Sequence, residues 1–341
     1  MSAASGSDRI PLAAKVAFLK RAASFPEGAE RVEAIETHMS WVFLTERHAY
    51  KLKKPVRTDF LDYDSIVARG RYCEAEVGLN RRLAGEVYVG TVRLVADPAG
   101  ALRLGGEGRL VDWLVKMRRL PAEARLDVAI DKGGVDKDRL HQALEGITAF
   151  YLEAPPVATP PGEYRRRIEQ EIGADREALG LPTHRVPLAT TKQVIEAQRL
   201  FLRDQGELLE RRAAHLLEGH GDLRPEHIYL LDEPVIVDRL EFNRDLRTVD
   251  PVGELAFLAM ECERLGAPSL GAMALDVYAR RTGDRPPAPL VGFYRSRSAC
   301  VRARLAIWHL DEPKATVGSP WLDRAARYLE LAERDLAGIG L

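Results

Sequence analysis

A polar loop followed by an isolated aspartate restricts this chain more than any other feature of its sequence. Residues 220–227 read His-Gly-Asp-Leu-Arg-Pro-Glu-His, and Asp238 follows Asp222 by sixteen positions, directly after the apolar run 235–237. The polar residues and the proline favour a loop, and the apolar run favours a short strand. The pattern therefore predicts one carboxylate in a loop and a second carboxylate at the end of a strand.

Two carboxylates in these positions suit phosphoryl transfer from a nucleotide. That reaction requires one carboxylate to orient the accepting hydroxyl and another to hold the magnesium ion that neutralises the phosphates. Asp222 and Asp238 are the candidates for these two roles. An isolated His-Gly-Asp is also a common turn, in which glycine permits a positive φ and aspartate caps its neighbours, so a purely structural interpretation stays open.

The sequence after Asp238 favours a kinase-like site. Asp250 and a proline precede the apolar stretch 252–260, which is typical of a helix capped by Asp250. These features resemble the aminoglycoside phosphotransferase family, kinase-like small-molecule phosphotransferases whose loop reads H-G-D-x-x-x-x-N. The resemblance implies that Asp222 is the catalytic aspartate and that Asp238 binds magnesium. It also implies that Asp250 braces the catalytic loop, with an ordinary helix cap as the alternative.

One position departs from the family pattern. His227 stands where the family has an asparagine that helps to hold metal. Neutral imidazole binds metals, but magnesium prefers oxygen ligands, whereas manganese accepts nitrogen more readily. The resemblance therefore implies ATP with Mg²⁺ as cofactors and allows Mn²⁺, and it leaves open whether His227 is a metal ligand.

Several stretches resemble one uncharacterised bacterial subgroup of phosphotransferase-like proteins. These stretches are residues 35–45, 50–56, 115–119 and 240–243. In that subgroup the domain is often fused to a P-loop kinase. The motif G-x-x-x-x-G-K-[ST] does not occur in this sequence, so we expect no contribution from a P-loop domain.

The N-terminal part offers a candidate grip for the nucleotide phosphates. Residues 35–45 and 48–56 predict a hairpin, and Ala49, Lys51 and Lys53 share one face of its second strand because side chains alternate with a period of two. This strand resembles the kinase strand V-A-I-K, in which a small residue two positions before the lysine leaves room for adenine. Lys51 is therefore the preferred phosphate ligand and Lys53 its rival. An ordinary solvated lysine is the alternative for both.

A phosphate-binding lysine is usually held by a glutamate on a helix. The predicted helix over residues 65–83 offers Glu74 and Glu76. Glu76 shares a helical face with Leu79 and Leu83, which are expected to pack against the sheet. Glu74 lies on the opposite side and is expected to meet water, so Glu76 is the preferred partner.

The adenine is expected to meet the backbone of a segment that joins two lobes. Residues 109–121 begin as a strand and stop at a proline, so backbone groups from Met117 to Arg119 are the candidates. The turn before Ser40 lacks the glycines of a protein-kinase phosphate loop, and Ser40 or a nearby amide is a further candidate for a phosphate contact.

Arg302 and Arg304 lie on a predicted helix in the C-terminal part of the chain. One interpretation is structural, with both arginines on the outer side of a half-buried helix. The other follows from the resemblance to the bacterial subgroup, in which a matching basic pair implies recognition of an anionic group on the acceptor.

The composition fits a cytoplasmic enzyme. Lys and Arg number 50 against 51 Asp and Glu, so no charge excess favours nucleic acid or an anionic membrane as a partner. Cys73, Cys262 and Cys300 are far apart and lack metal-binding spacing, which suits a reducing compartment. No apolar run approaches the roughly 20 residues of a membrane span.

We therefore expect an α+β, protein-kinase-like fold with two lobes. Residues 1–30 form an N-terminal extension with a surface helix, residues 31–120 an N-lobe whose five-stranded antiparallel sheet grips the nucleotide, and residues 121–341 a mainly helical C-lobe with the catalytic loop and the substrate cleft. The expected function is ATP-dependent phosphotransfer to a small-molecule hydroxyl. The alternative is a nucleotide-binding regulatory module without turnover, which His227 and the missing glycine-rich loop favour. Protein phosphorylation is disfavoured because no Ala-Pro-Glu segment follows Asp238.

Overall fold

The computed structural model describes residues 10–58, 61–160, 162–181, 183, 186–309 and 320–338. The helices, in chain order, are α1 (Leu12–Leu19), α2 (Ile66–Ala84), α3 (Leu126–Asp131), α4 (Lys137–Glu153), α5 (Glu163–Leu179), α6 (Leu188–Asp204), α7 (Gly206–Arg212), α8 (Arg244–Arg247), α9 (Pro251–Arg264), α10 (Pro268–Thr282), α11 (Ala288–Trp308) and α12 (Pro320–Ala337). The strands are β1 (Glu33–Glu36), β2 (Ser40–Leu44), β3 (His48–Lys53), β4 (Arg57–Thr58), β5 (Leu61–Asp62), β6 (Tyr88–Ala96), β7 (Leu102–Leu104), β8 (Arg109–Arg118), β9 (Leu217–Glu218), β10 (Ile228–Tyr229), β11 (Val235–Ile236) and β12 (Thr248–Val249).

The chain forms two compact units. Unit 1 contains residues 1–122 and 235–244, and unit 2 contains residues 123–234 and 245–341. Unit 1 therefore includes a ten-residue segment from the second half of the sequence, and that segment carries Asp238.

Unit 1 is built on an antiparallel sheet with the strand order β1-β2-β3-β8-β6-β7. The sheet has six strands, so the expected number of five is wrong. A turn divides the stretch 35–45 into the separate strands β1 and β2. Thr37 closes this turn, because its Oγ1 donates to the carbonyl oxygen of Ser40 at 3.0 Å.

The two faces of strand β3 explain how this sheet is packed. Tyr50 and Leu52 are buried in a core that includes Phe43 and the helix α1 residue Leu19. Because side chains alternate along a strand, Lys51 and its neighbours at period two face the opposite side. Helix α2 packs against β8 and β6 and supplies the carboxylate that Lys51 contacts, so the sheet lies between α1 and α2.

Helix α2 begins where the sequence predicts. The hydroxyl of Ser65 accepts a hydrogen bond from the N–H of Ala68 at 3.0 Å, as an N-cap does. Gly70 allows a close approach to the sheet, since a Cβ at this position would lie 2.7 Å from Nε1 of Trp113. Because Gly70 has no side chain, α2 packs close to β8, and this packing sets the distance of Glu76 from the sheet.

Unit 2 is mainly helical. One of its cores joins α6, α9, α11 and α12 through residues such as Val194, Met260, Ile307 and Leu329. The predicted cap of α9 is confirmed, because the carboxylate of Asp250 accepts from the N–H of Val252 at 3.0 Å. In the part of the chain that the structure describes, no helix combines the length and the apolar character needed to cross a membrane.

Candidate active site

Lys51 is the centre of a charged cluster in unit 1. Its Nζ lies 2.9 Å from Oε1 of Glu76 and 2.8 Å from Oδ1 of Asp238. Burial opposes the positive charge, but the attraction of Asp238 and Glu76 outweighs it, so the pKa of Lys51 lies well above its ordinary value. Lys51 is therefore an ammonium ion held between two carboxylates. Glu74, by contrast, is exposed on the other side of α2.

Lys53 occupies a different environment from Lys51. It is fully buried, and its Nζ lies 2.5 Å both from Oε2 of Glu76 and from Oε1 of Glu241. The hydroxyl of Tyr63 also donates to Glu241. Glu76 thus binds one lysine with each carboxylate oxygen. Glu241 was not predicted as a site residue, although a carboxylate three positions after Asp238 was a signal that pointed to it.

Asp238 has an unusual backbone. Its φ is 63°, and among the described residues it is the one non-glycine residue with a positive φ. Its N–H donates to the hydroxyl of Tyr88 at 3.0 Å, and the next residue, Arg239, donates its N–H to Oδ1 of Asn80 at 2.8 Å. These contacts hold the segment after β11 on helix α2 and strand β6.

The donor set around Asp238 fits a magnesium ion that arrives with a nucleotide. Its carboxylate is 45% exposed and offers the oxygen ligands that Mg²⁺ prefers. The described residues contain no group of three or more His, Cys, Asp or Glu side chains placed to hold a metal ion. Mg²⁺ is commonly held by one or two carboxylates together with substrate phosphates, so one aspartate is a sufficient protein contribution.

The remaining nucleotide candidates lie in the sheet of unit 1. Ser40 is buried, and its N–H already donates to Oγ1 of Thr37 at 3.0 Å. Met117 lies on β8 beside Ala49, the small residue predicted to leave room for adenine. The N–H of Arg119 donates to a carbonyl oxygen of the β2–β3 turn at 2.8 Å. Met117 is thus next to the residue predicted to leave room for adenine, and its contact with adenine stays a prediction.

Asp222 lies in unit 2 within a tightly bonded loop. Its N–H donates to Nδ1 of His220 at 3.2 Å, and its Oδ2 accepts from Nη2 of Arg224 at 2.9 Å. Burial favours the protonated form, but Arg224 and, more weakly, His227 and Arg302 outweigh it, so the pKa of Asp222 lies below its usual range. At neutral pH Asp222 is therefore a carboxylate that accepts hydrogen bonds.

His227 does not fit the role of a metal ligand in this loop. Its Nδ1 lies 2.8 Å from the carbonyl oxygen of Asp222 and its Nε2 lies 3.1 Å from Nη2 of Arg224. A guanidinium can only donate, and a carbonyl oxygen can only accept, so both ring nitrogens already have partners. The oxygen of Asp238 fits a magnesium ion, whereas the nitrogens of His227 do not.

Helix α9 holds the loop through a residue that the sequence analysis missed. Oε2 and Oε1 of Glu254 accept from the N–H groups of His220 and Gly221 at 2.9 and 2.5 Å, and the hydroxyl of Tyr151 donates to Oε2 at 2.6 Å. Asp250 instead caps α9 and accepts from Arg212, so of its two expected roles the structure shows the cap. A single charge inside the apolar stretch 252–260 was the signal for Glu254.

Arg302 and Arg304 point to different partners in unit 2. Nε of Arg302 lies 3.1 Å from the buried carboxylate of Glu261, and Nη1 of Arg304 lies 3.1 Å from the buried carboxylate of Asp175. Both arginines are thus ion-paired internally, which agrees with the structural interpretation. Arg302 remains near enough to Asp222 to lower the pKa of that carboxyl group.

Solved structures of small-molecule kinases share this architecture. A thermostable mutant of aminoglycoside phosphotransferase APH(4)-Ia aligns with a TM-score of 0.54 at 13% identity, over 92% of this chain and 97% of that chain. Choline kinase from Cryptosporidium parvum gives a TM-score of 0.52 at 12% identity, over 96% and 97% of the two chains, and a glucosamine kinase gives 0.51 at 15% identity, over 95% and 79%. These similarities show that the chain has the kinase-like phosphotransferase fold, and the predicted fold class is confirmed.

Sequence comparison leads to mycobacterial proteins. Over 316 residues the chain is 32% identical to an uncharacterized protein of Mycobacterium tuberculosis and equally to one of Mycobacterium bovis, an alignment that covers 89% of this chain and 60% of each relative. The chain thus spans less than two thirds of the length of these relatives. No family model matches the chain.

Proposed function

We propose that the chain is an ATP-dependent phosphotransferase whose acceptor is the hydroxyl group of a small molecule. The observation that carries this proposal is Lys51, held as an ammonium ion between Glu76 and Asp238. Phosphoryl transfer depends on positioning and on electrostatic stabilisation, and a fixed lysine beside a metal-binding carboxylate supplies both. A solved structure of APH(4)-Ia with a TM-score of 0.52 holds AMP-PNP and hygromycin B, which supports a nucleotide and a small hydroxyl compound as ligands here.

The side chains of this chain take separate roles in the proposed reaction. Lys51 binds the nucleotide phosphates, Asp238 binds Mg²⁺, and the backbone near Met117 meets the adenine. Magnesium, when bound, neutralises the charge of the phosphates. Asp222 accepts a hydrogen bond from the acceptor hydroxyl and orients it. The lowered pKa of Asp222 makes it a weak base, and a loose transition state requires orientation of the hydroxyl more than early removal of its proton.

The proposed setting of this activity is the cytoplasm. All three cysteines are buried free thiols, which suits a reducing compartment. The balanced charge favours neither nucleic acid nor an anionic membrane, so the proposed partners are the nucleotide and the acceptor.

Nucleotide binding is the first test. We expect ATP with Mg²⁺ to raise the melting temperature, since a ligand at about 100 times its Kd stabilises the folded state by roughly 2.7 kcal/mol. Lys51→Ala should remove most of this shift. Lys54→Ala is the matched control, because Lys54 follows the same strand and pairs with Glu36. Differential scanning fluorimetry that shows no shift for wild type would refute the proposal.

A regulatory module that binds nucleotide without turnover is the second candidate, and the occupied nitrogens of His227 favour it. Asp222→Asn separates the two functions. For an enzyme, this variant should bind Mg-ATP as wild type does while turnover of labelled ATP with a metabolite pool falls by at least about a hundredfold. Wild type that binds Mg-ATP but phosphorylates nothing in that pool and does not hydrolyse ATP would favour the regulatory module.

A further inference from the structure

Arg224 joins the two ends of the proposed catalytic loop. One guanidinium nitrogen, Nη2, contacts both the carboxylate of Asp222 and Nε2 of His227. The imidazole then returns to the backbone carbonyl oxygen of Asp222 through Nδ1. The N–H of His227 also donates to the carbonyl oxygen of Arg224 at 2.9 Å, within the short 3-10 turn Pro225–His227. The geometry of the turn therefore holds the guanidinium of Arg224 next to the imidazole of His227.

These contacts define the protonation of the imidazole. Nδ1 faces a carbonyl oxygen and must carry the hydrogen, whereas Nε2 faces a guanidinium donor and must offer its electron pair. A metal ion bound to His227 at Nε2 needs that same electron pair. It also needs to approach a permanent positive charge, because arginine does not lose its proton in proteins. A metal ion and Arg224 are therefore competitors for one nitrogen.

Arg224 keeps its positive charge in this partly buried loop because carboxylates lie near it. Its closest carboxylate is Asp222 at 2.9 Å, and Glu226 lies farther away, 3.8 Å from Nη1. Burial opposes the charge of Arg224 and these carboxylates outweigh that effect, so its pKa is raised. Among the contacts of the described residues, its buried Nε has no hydrogen-bond acceptor.

We propose that the guanidinium of Arg224 supplies the positive charge in this loop. It takes the place next to Nε2 of His227 that a metal ion would otherwise occupy. The inference rests on the proposed function, in which Asp238 alone contributes a protein ligand to the magnesium ion. Arg224 fixes the orientation of the Asp222 carboxylate and supplies positive charge beside it, and His227 orients Arg224. The chain thus uses one metal ion and one guanidinium where a loop with an oxygen ligand at position 227 would use two metal ions.

Histidine side-chain ¹⁵N NMR of the nucleotide-free protein tests the geometry directly. We expect the signal of His227, assigned by its loss in His227→Asn, to show Nδ1 protonated and Nε2 unprotonated. In Arg224→Met the Nε2 signal should shift, because its donor is gone. A wild-type His227 with its proton on Nε2 would overturn the inference. This measurement needs no nucleotide and no activity, so it remains decisive even if the proposed function fails.

Counting the bound metal ions tests whether Arg224 replaces a metal ion at His227. With equimolar AMP-PNP, electron paramagnetic resonance of Mn²⁺ should show one bound ion per wild-type chain, and His227→Ala should retain that ion with its affinity changed less than about twofold. Arg224→Met combined with His227→Asn should gain a second ion. Two bound ions in wild type, one of them lost in His227→Ala, would show that His227 is a metal ligand and that Arg224 is not its substitute.

Failure of the proposed function has a different signature. Asp238→Asn should remove the single ion of wild type, while His227 should still be protonated on Nδ1 because its contacts with Arg224 and with the carbonyl oxygen of Asp222 set the tautomer. If wild type binds neither AMP-PNP nor Mn²⁺ while His227 is protonated on Nδ1, the phosphotransferase proposal is wrong and the contact between Arg224 and His227 stands.

Discussion

In the nucleotide-free protein, Lys51 and Asp238 form an ion pair with each other. Their 2.8 Å contact places the proposed phosphate ligand on the proposed metal ligand. Mg-ATP would replace this pair with two new ones, lysine with phosphate and aspartate with magnesium. Neither ligand alone completes the exchange, since ATP without metal takes Lys51 from Asp238 and metal without ATP takes Asp238 from Lys51.

This exchange predicts that magnesium and ATP bind cooperatively. Isothermal titration should show ATP affinity at least about tenfold higher with Mg²⁺ than with a chelator, within the 1–3 kcal/mol range of typical coupling free energies. Asp238→Asn should reduce the difference to less than about threefold. Asp232→Asn, at an exposed aspartate of unit 2, is the control. Equal coupling in wild type and Asp238→Asn would exclude the exchange.

The residues of this cluster differ in how far they could be predicted. Glu76 followed from helical periodicity. Periodicity placed Lys51 and Lys53 on the same strand face, so Lys51 followed from the resemblance of its strand to the kinase strand V-A-I-K. The pairing of Lys53 with Glu241 joins positions 188 residues apart, and no local pattern contains that information. The role of Lys53 as a buried partner of two glutamates therefore required the tertiary structure.

At the scale of secondary-structure elements, helix α9 fixes the position of the loop after β9. Glu254 accepts from two backbone N–H groups of this loop and from Tyr151 on α4. Gly219 makes the approach possible, since a Cβ there would lie 2.4 Å from Cγ2 of Val249 and 2.7 Å from Oε2 of Glu254. The carboxylate of Glu254 thus attaches the loop to helix α9.

Removing that carboxylate should destabilise the protein. Glu254→Ala removes the acceptor of the buried His220 N–H and of the partly buried Gly221 N–H. An unsatisfied buried group costs about 1–3 kcal/mol, so we expect a loss of roughly 3 kcal/mol in the free energy of unfolding. Tyr151→Phe is the matched control and should cost about 1 kcal/mol, because it removes the hydrogen bond to Glu254 but leaves both N–H groups with their acceptor. Urea denaturation measures both. Equal effects of the two variants would contradict the bracing role of Glu254.

Helices α5 and α11 are joined by a buried carboxylate that responds to pH. Burial raises the pKa of Asp175 to about 7, although Arg304 lies 3.1 Å away. The unfolded chain loses this proton near pH 3.9 and the folded chain near pH 7, so the folded state binds more protons in between. Stability contributed by Asp175 is therefore present at low pH and is lost as the pH rises through this window.

Asp175→Asn removes this titration. As the pH rises from 4 to 7, the free energy of unfolding of wild type should fall relative to that of Asp175→Asn, by up to about 4 kcal/mol at 1.36 kcal/mol per pH unit. Chemical denaturation at several pH values checks the slope. Asp276→Asn, at an exposed position of α10, should run parallel to wild type. A parallel curve for Asp175→Asn would rule out the raised pKa.

At the scale of the whole molecule, unit 1 is assembled from two distant pieces of sequence. Residues 235–244 contribute Glu241 to Lys53, and the backbone of Arg239 contacts Asn80 through both its N–H and its carbonyl group. Without this segment, Lys53 and Asn80, which are fully buried in the intact chain, lose hydrogen-bond partners and the cover that buries them.

Unit 1 should therefore fold by itself only with that segment. A fragment of residues 1–122 is expected to lack a cooperative unfolding transition, whereas the same fragment with residues 235–244 attached by a flexible linker should have one. Circular dichroism and the dispersion of an amide NMR spectrum distinguish the two. The linked fragment with Glu241→Gln and Asn80→Ala is the control and should behave like 1–122. A folded 1–122 fragment would show that the segment is dispensable.

The overall architecture was predictable because each helix and strand carries its own local signals, such as the caps at Ser65 and Asp250. Two features were not predicted. A turn before Ser40 was expected, but residues 35–45 were still assigned to one arm of a hairpin, so the sixth strand that this turn separates was missed. The inclusion of residues 235–244 in unit 1 depends on contacts with helix α2, and such contacts leave no trace in local periodicity.

Because the backbone at Asp238 is left-handed, stability and activity favour different residues at this position. An aspartate with φ near 63° is strained by about 1 kcal/mol relative to a residue that adopts this conformation freely, and glycine does so at no steric cost. In a library of position-238 variants, selection for thermal stability alone should enrich glycine and asparagine, while Lys51 keeps Glu76 as its partner. Selection for turnover should enrich aspartate. The residue that a folding screen would discard first is thus the one that we expect an activity screen to retain.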